Sequence, residues 1–192
     1  MDQTAARQWA ELRLSPHRLA HVAGVAAMAD ELAWRVGEDT ANCRLAAWLH
    51  DALKEEDGPA LAAEASRRGL ADELRLPFLL HASVMGARAL ADLGVSAAVA
   101  EAITYHPIGR PGLGQIGQIL YLADKLEPGR QYDGVEALRE LARQDLASGL
   151  RATVQAIRDF QSRRLDPQPI HPLTEQWLSE LKRGGQRSHK MS

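Results

Sequence analysis

The chain has 192 residues, of which 45% are hydrophobic and 25% charged, so it has the composition of a globular protein and enough length for one substantial core. Its 23 Lys and Arg against 25 Asp and Glu give a formal net charge of -2, which predicts no global field that would recruit nucleic acid or an anionic membrane. The single cysteine, Cys43, excludes an intramolecular disulfide framework and favours a cytoplasmic location.

Alanine and leucine dominate, and period-two alternation of β-branched residues is scarce, so we predict an all-α fold. Caps, glycines and prolines divide the chain into predicted helices at residues 15–37, from 39 to about 50, 58–69, 81–93, 96–106 and 115–126. Apolar periodicity continues over residues 135–146 and 150–157, and a last helix contains Trp177, Leu178 and Leu181. Residues 107–114 and 166–172 are predicted loops. We expect residues 1–182 to form one domain and residues 183–192 to be a disordered tail.

Six potential metal ligands lie on five segments of this predicted bundle: His21, His50, Asp51, His81, His106 and Asp124. His21 begins a helical apolar stripe that continues with Val25 and Met28, and Asp124 completes the stripe of Ile116 and Leu120. A carboxylate on an apolar face is costly to bury unless a cation or several donors meet it. The set therefore favours a metal site over six unrelated buried polar residues.

Each residue also has a structural interpretation when it is taken alone. A single histidine here is more often a satisfied residue of the core or of a helix end. Asp124 alone fits a buried salt bridge with Lys125 or Arg130 equally well. Only the joint pattern of residue type, helix face and order favours a metal.

The donor types restrict the metal and its chemistry. Imidazole and carboxylate without thiolate suit Zn, Fe, Mn or similar divalent ions. His50 and Asp51 point about 100° apart on a regular helix, so they share one ion only if the helix ends there, unless Asp51 bridges two ions. Such an ion lowers the pKa of bound water and polarises a phosphoryl oxygen.

Three basic residues follow candidate ligands by less than two helical turns: Lys54, Arg110 and Arg130. Lysine offers a point charge to phosphate, and arginine can bind two phosphate oxygens at once. An ordinary solvated surface explains each of them alone about as well. For His171, which lies between two prolines, the structural interpretation is favoured.

The order His21, His50-Asp51, Asp124 resembles the HD-domain metal-dependent phosphohydrolases. More narrowly, the chain is similar to the bacterial YqeK family over approximately residues 12 to 180. The similar runs are 18–22, 49–54, 81–87, 106–110 and 123–130, of which the Ala-Asp-Lys-Leu-Glu-Pro sequence at 123–128 is the most specific. One departure is Pro107, where the family leads us to expect a small hydroxyl residue; proline removes that hydroxyl and a backbone N–H donor to phosphate.

This resemblance implies an HD-domain helical bundle that cleaves dinucleoside tetraphosphates symmetrically, diadenosine tetraphosphate giving two ADP. It implies metal binding by His21, His50, Asp51 and Asp124, with iron as the common ion and Mn, Zn, Co or Ni as other candidates. A second ion at His81 and His106 stays open. The catalytic residues implied are Asp51, Lys54, His81 and His106. The substrate-binding residues implied are His17, Arg18, Lys54, His81, His106, Arg110, Arg130 and His171.

We therefore expect a hydrolase of a small nucleotide substrate, with one ion rather than two. Three alternatives remain: an HD phosphatase or phosphodiesterase for other nucleotides, a catalytically silent nucleotide-binding module, and a helical adaptor with a structural metal. Substrate profiling separates the first, and nucleotide affinity with chelator resistance separates the others. Neither base specificity nor oligomeric state can be read from the sequence, and a homodimer stays open.

Overall fold

The structure is a computed structural model that describes residues 1–163 and 170–188. Over these residues the chain forms ten α-helices, one 3₁₀ turn at Asp72–Leu74 and no β-strand, which confirms the predicted all-α fold. The helices are α1 (Gln3–Glu11), α2 (Pro16–Val36), α3 (Thr40–Leu49), α4 (Gly58–Arg67), α5 (Leu80–Ala91), α6 (Ala97–Tyr105), α7 (Gln115–Leu126), α8 (Val135–Gln144), α9 (Leu146–Ser162) and α10 (Pro172–Ser188).

Local signals in the sequence account for where the central helices start and stop. The side chains of Ser15, Asp39 and Ser96 accept hydrogen bonds from the first turns of α2, α3 and α6, which is the usual role of an N-cap. Pro16 occupies the first turn of α2, where no backbone N–H is required. Gly37 ends α2 with φ of 71°, a left-handed conformation that glycine adopts without strain.

Four helices, α2, α3, α6 and α7, form the centre of the bundle. α3 packs against α2, α6 and α7, and α7 also contacts α2 and α6. α5 packs against α6, α1 against α3, and α9 against α7, α8 and α10. The apolar stripes predicted for α2, α6 and α7 face this interior, since Val25, Ile103 and Leu120 are completely buried. Polar residues on the same stripes are thereby carried into the core.

The first helix is absent from the sequence-based expectations. Asp2 caps α1 by accepting a hydrogen bond from the amide of Ala5. α1 buries only two alanines, Ala6 and Ala10, and it packs against α3.

At the other end of the chain, α10 continues to Ser188. Trp177 and Leu178 anchor this helix in the core. Once a helix is anchored, each further residue adds a hydrogen bond at little extra entropic cost, so the helix extends into a polar sequence. Residues 189–192 of the expected tail and 166–169 of the expected link lie outside the described residues. None of the described helices combines the length and the apolar character that a membrane crossing requires.

Candidate metal centre

The six candidate ligands converge on one centre inside the bundle. Their side chains are at most 9% exposed. They are supplied, in chain order, by α2 (His21), the residues directly after α3 (His50 and Asp51), α5 (His81), the residue after α6 (His106) and α7 (Asp124).

His50 and His106 are oriented by the ends of their own helices. Each histidine follows the last residue of a helix, where carbonyl groups lack an intrahelical partner. His50 Nδ1 donates to the carbonyl of Ala47 at 2.7 Å, and His106 Nδ1 donates to that of Ile103 at 2.8 Å. With Nδ1 acting as the donor, Nε2 is left as the acceptor that faces the centre. Because α3 ends at Leu49, the side chains of His50 and Asp51 need not point about 100° apart, as they would on a regular helix.

His21 is oriented by a buried carboxylate, Glu127, to which the sequence analysis gives no role. His21 Nδ1 lies 3.1 Å from Glu127 Oε1, and Glu127 Oε2 accepts from the amide of Gly129 at 2.5 Å. Gly24 leaves room for this carboxylate, because a Cβ at that position would lie 2.6 Å from Oε2. The sequence contains two signals for this contact: an acidic residue, Glu127, directly after α7, and a glycine, Gly24, one helical turn after His21.

The turn that carries Glu127 is held by a second residue that sequence reasoning missed, Arg139 of α8. Its guanidinium is buried and donates to three carbonyls: Leu126 O at 2.7 Å, Glu127 O at 2.7 Å and Arg130 O at 2.8 Å. Three bonds from one rigid group fix the path of the chain from α7 to Arg130. The position of Glu127 behind His21 therefore depends on α8 as well as on α7.

Asp51 lies between two groups of histidines and turns one oxygen toward each. Its Oδ2 is 3.9 Å from His21 Nε2 and 3.8 Å from His50 Nε2. Its Oδ1 is 3.2 Å from His81 Nε2 and 3.7 Å from His106 Nε2. Each group of three residues has its ligand atoms within 4.8 Å of one another, so two ligand groups share Asp51.

Asp124 closes the first group. Its Oδ1 lies 3.2 Å from His21 Nε2 and 2.8 Å from Arg130 Nη2, and its Oδ2 is 2.5 Å from Lys125 Nζ. Burial alone would raise the pKa of this carboxyl, but the charge of Lys125 and the histidines nearby hold the pKa well below its usual value. Asp124 is therefore an ionised acceptor, as a metal ligand must be.

The protonation states of three other ligands, His50, Asp51 and His81, also suit a cation. Burial lowers the pKa of His50 to about 3 and that of His81 to about 4, so both imidazoles are neutral at physiological pH. Burial opposes ionisation of Asp51, yet His50, His106 and His81 around it hold its pKa far below the usual value. Neutral imidazole beside ionised carboxylate is the form in which these groups bind metals.

Two buried nitrogens support the fit of these residues to a divalent ion. Among the described residues, His21 Nε2 and His50 Nε2 have no hydrogen-bond partner, and the approach of Asp124 to His21 does not form one. Unpartnered buried polar atoms are uncommon and call for an explanation. Both atoms face Asp51 Oδ2, and nitrogen and oxygen donors of this kind suit Zn, Fe or Mn.

Three of the predicted substrate-binding cations lie at the edge of the centre. Lys54 Nζ is 3.0 Å from His81 Nε2, Arg18 Nη1 is 3.0 Å from Asp51 Oδ2, and Arg130 contacts Asp124 as described. Partial desolvation is the largest cause that lowers the pKa of Lys54. A phosphate chain that reached the centre would meet positive charge from three different segments.

Two of the other predicted substrate-binding residues, Arg110 and His171, contact other parts of the described structure, and a third, His17, is exposed. Arg110 pairs with Glu101 at 3.3 Å rather than with any residue of the centre. His171 is buried and its Nε2 lies 3.2 Å from the carbonyl of Glu73, which fits the structural interpretation of this residue. His17 is exposed at the start of α2. Sequence spacing places these residues near ligands along the chain but does not determine the direction of their side chains.

Comparisons with a family model and with individual proteins indicate the same family for this chain. The HD domain model matches residues 18–129, which include all six candidate ligands. The symmetrical bis(5'-nucleosyl)-tetraphosphatase of Bacillus subtilis (strain 168) is 34% identical over 186 residues, covering 93% of this chain and 98% of the relative. A protein of the same name from Halalkalibacterium halodurans is 32% identical, covering 94% of this chain and 97% of the relative.

A solved structure agrees with this comparison at the level of the fold. The crystal structure of a predicted HD superfamily hydrolase from Clostridium acetobutylicum, described as involved in NAD metabolism, superimposes with a TM-score of 0.86. It is 29% identical to this chain, and the match covers 94% of this chain and 97% of that protein. The likeness therefore extends over nearly the whole bundle, beyond the residues of the centre.

Proposed function

This chain belongs to the HD domain family, and we propose that its buried centre hydrolyses dinucleoside tetraphosphates symmetrically, so that diadenosine tetraphosphate and one water give two ADP. The observation that carries this proposal is the position of Asp51, an ionised carboxylate between two groups of histidines, with cations at the edge. The shared name of the curated relatives supports the choice of substrate.

We assign the principal ion to His21, His50, Asp51 and Asp124, because two of these four present unpartnered buried nitrogens. When it is bound, a divalent ion at this position lowers the pKa of a coordinated water and polarises a phosphoryl oxygen. Iron is the proposed resident ion, and Mn, Zn, Co and Ni suit the same donor set. The lack of thiolate in the set distinguishes it from most closed structural zinc sites.

The cations at the edge would bind and orient the phosphate chain. Lys54, Arg18 and Arg130 approach the centre from three segments, so their charges can contact several phosphoryl oxygens at once. In the transition state, negative charge grows on the departing ADP, and fixed positive groups offset it without reorganisation. Arg110 and His171, which contact other parts of the bundle, have a weaker claim to this role.

His81 and His106 are assigned to the reacting oxygens rather than to the principal ion. Both face Asp51 Oδ1, on the side where Lys54 also lies. There, His81 can donate a proton or a hydrogen bond to the bridging oxygen as the P–O bond breaks, and His106, whose Nδ1 proton is bound to the Ile103 carbonyl, can do so once its Nε2 has taken up a proton. The ammonium of Lys54 supplies positive charge on this side of Asp51, which supports a one-ion centre.

A second candidate arrangement places another ion at Asp51 Oδ1, His81 and His106, since their ligand atoms also lie within 4.8 Å of one another. Elemental analysis after anaerobic purification distinguishes the two arrangements. With one ion, the His81→Ala and His106→Ala variants keep the metal content of the wild type and lose turnover. Two ions per wild-type chain, with one lost in either variant, would refute the one-ion arrangement.

The site is complete within a single chain, because all six candidate ligands come from it. The proposal therefore needs neither nucleic acid nor a second copy of the chain, and a homodimer would leave the ligand set unchanged. We also propose a cytoplasmic location, which the lone, buried Cys43 supports.

Chromatography of the products formed from diadenosine tetraphosphate tests the proposed function. The metal-loaded protein is expected to give ADP alone, at two per substrate, and chelation followed by metal addition should abolish and restore the reaction. Asp51→Ala is expected to lose both metal and activity, since no neighbouring carboxylate can replace it. Release of free phosphate would indicate a phosphatase instead. Nucleotide binding without products would indicate a silent module, and no nucleotide affinity would indicate an adaptor with a structural metal.

A further inference from the structure

A cavity of about 850 Å³ opens beside the centre, between the end of α7 and helix α9. One wall is formed by Lys125 and by the chain from Arg130 to Asp133, and the other by the last turns of α9. The volume lies within the range of about 300–1,000 Å³ that is usual for small-molecule sites. The cavity is therefore large enough to admit part of a nucleotide.

The end of the cavity nearest the ligands is cationic. Lys125 and Arg130 both line it, and both contact the carboxylate of Asp124. The same two side chains are therefore shared between the cavity and the centre. A phosphate group bound to Arg130 would leave whatever is attached to it directed into this cavity.

The rest of the cavity lining is mainly apolar and aromatic, with Asp133 and Arg163 also contributing to it. Ile157 and Phe160 of α9 line the cavity together with Tyr132, and Phe160 is 59% exposed. The ring of Tyr132 is held by a hydrogen bond from its hydroxyl to the carbonyl of Lys125 at 3.0 Å. An exposed phenylalanine contributes little to folding here, and together with a fixed tyrosine in the same lining it offers aromatic surface on which a flat ring can lie.

We propose that this cavity binds a nucleobase of the substrate, which stacks on Phe160 while its phosphates extend past Arg130 to the centre. The inference rests on the proposed function for the identity of the ligand. Stacking tolerates any base because every base has an aromatic face, so the wall of Phe160 and Ile157 selects for a nucleoside rather than for one base. Inorganic polyphosphates, which have no base, can contact the cations of this cavity but gain nothing from its aromatic and apolar lining.

Calorimetric titration of the metal-loaded protein with ADP, and separately with pyrophosphate, tests the inference. Phe160→Ala is expected to weaken ADP binding roughly 5- to 30-fold, in the lower part of the range for a stacked base because one face of Phe160 remains in solvent. Pyrophosphate affinity should not change. Phe160→Trp is expected to restore ADP affinity. Phe78→Ala is the matched control, because Phe78 is also exposed, at 53%, and does not line the cavity.

The outcomes separate this inference from the proposed function. Unchanged ADP affinity in Phe160→Ala, or an equal loss of pyrophosphate affinity, would overturn the cavity assignment even if the protein cleaves diadenosine tetraphosphate to ADP. Wild-type protein that binds ADP no more tightly than pyrophosphate would overturn it as well. A base-dependent loss at Phe160 in a protein that forms no ADP would leave the cavity assignment standing and refute the symmetrical hydrolysis.

Discussion

Replacement of Glu127 by glutamine removes a buried negative charge from behind His21 while nearly preserving the volume of the side chain. Glu127 accepts two N–H groups, from His21 Nδ1 at 3.1 Å and from the amide of Gly129 at 2.5 Å. Glutamine has only one oxygen, so its NH₂ group must face one of these two donors. We expect weaker metal binding, because the ring of His21 loses either its charge-assisted partner or its fixed orientation.

The expected loss follows from the contact that is changed. Replacement of a carboxylate behind a metal-bound histidine generally costs 10- to 100-fold in metal affinity. Glu127→Gln keeps an acceptor within reach and should lie near tenfold, or about 1.4 kcal/mol. Glu127→Ala removes both bonds and should approach 100-fold, or about 2.7 kcal/mol. Glu127 is not itself a candidate metal ligand, because its Oε1 is directed at Nδ1 of His21 and not at the Nε2 that faces the centre.

Competition for Zn²⁺ against a chromogenic chelator measures the dissociation constant directly, without reference to activity. Glu140→Gln is the matched control, since Glu140 is an exposed residue of α8 whose side chain accepts a hydrogen bond from Gln144. Thermal unfolding of the metal-free proteins reports separately on any general loss of stability. A dissociation constant of Glu127→Gln within twofold of the wild type, in a folded protein, would refute the positioning role.

Three other predictions concern separate parts of the chain. Arg130→Ala should weaken the binding free energy of ADP by on the order of 1.5–3 kcal/mol and leave the metal content unchanged. Unchanged ADP affinity in calorimetry would show that Arg130 does not bind phosphate. The ion pair with Arg88 lowers the pKa of Glu64 to about 2. The ion pair therefore stabilises the folded protein fully at pH values above the pKa of Glu64 in the unfolded chain, near 4.5, and this stabilisation is lost as the pH falls toward 2. Denaturant titrations should therefore show the difference in unfolding free energy between wild type and Glu64→Gln shrinking across that window, and a constant difference would contradict this. Burial raises the pKa of Cys43 to about 12, so a thiol reagent at neutral pH should label it only after denaturation, and rapid labelling of the native protein would be inconsistent with the packing.

The parts of the fold that follow from local rules were predictable from the sequence. Ser15, Asp39 and Ser96 mark helix starts because a side-chain oxygen must satisfy the first amides of a helix, and this requirement is visible in the sequence. His21 was placed on the buried face of α2 for a similar reason, since the spacing of its neighbours fixes the face. Convergence of the ligands then follows, because helices in one core must direct their inner faces at one another.

Contacts that depend on side-chain direction could not be predicted in this way. Arg110 and Arg130 each follow a ligand closely in sequence, yet Arg130 reaches Asp124 and Arg110 reaches Glu101. The difference arises from the turns that carry them. Arg139, which holds the turn before Arg130, lies nine residues further along the chain, on the next helix. Interactions of this kind are set by packing between elements and leave no spacing to recognise.

A single-turnover reaction of diadenosine tetraphosphate in ¹⁸O-labelled water, with the metal-loaded protein in excess, tests the central claim most directly. Attack by water on an inner phosphorus predicts ADP as the only product, with one ¹⁸O atom for every two ADP molecules, and Asp51→Ala should produce none. Mass spectrometry of the products decides the question. Labelled AMP together with ATP, labelled free phosphate, or ADP without the label would contradict symmetrical hydrolysis by water at this centre.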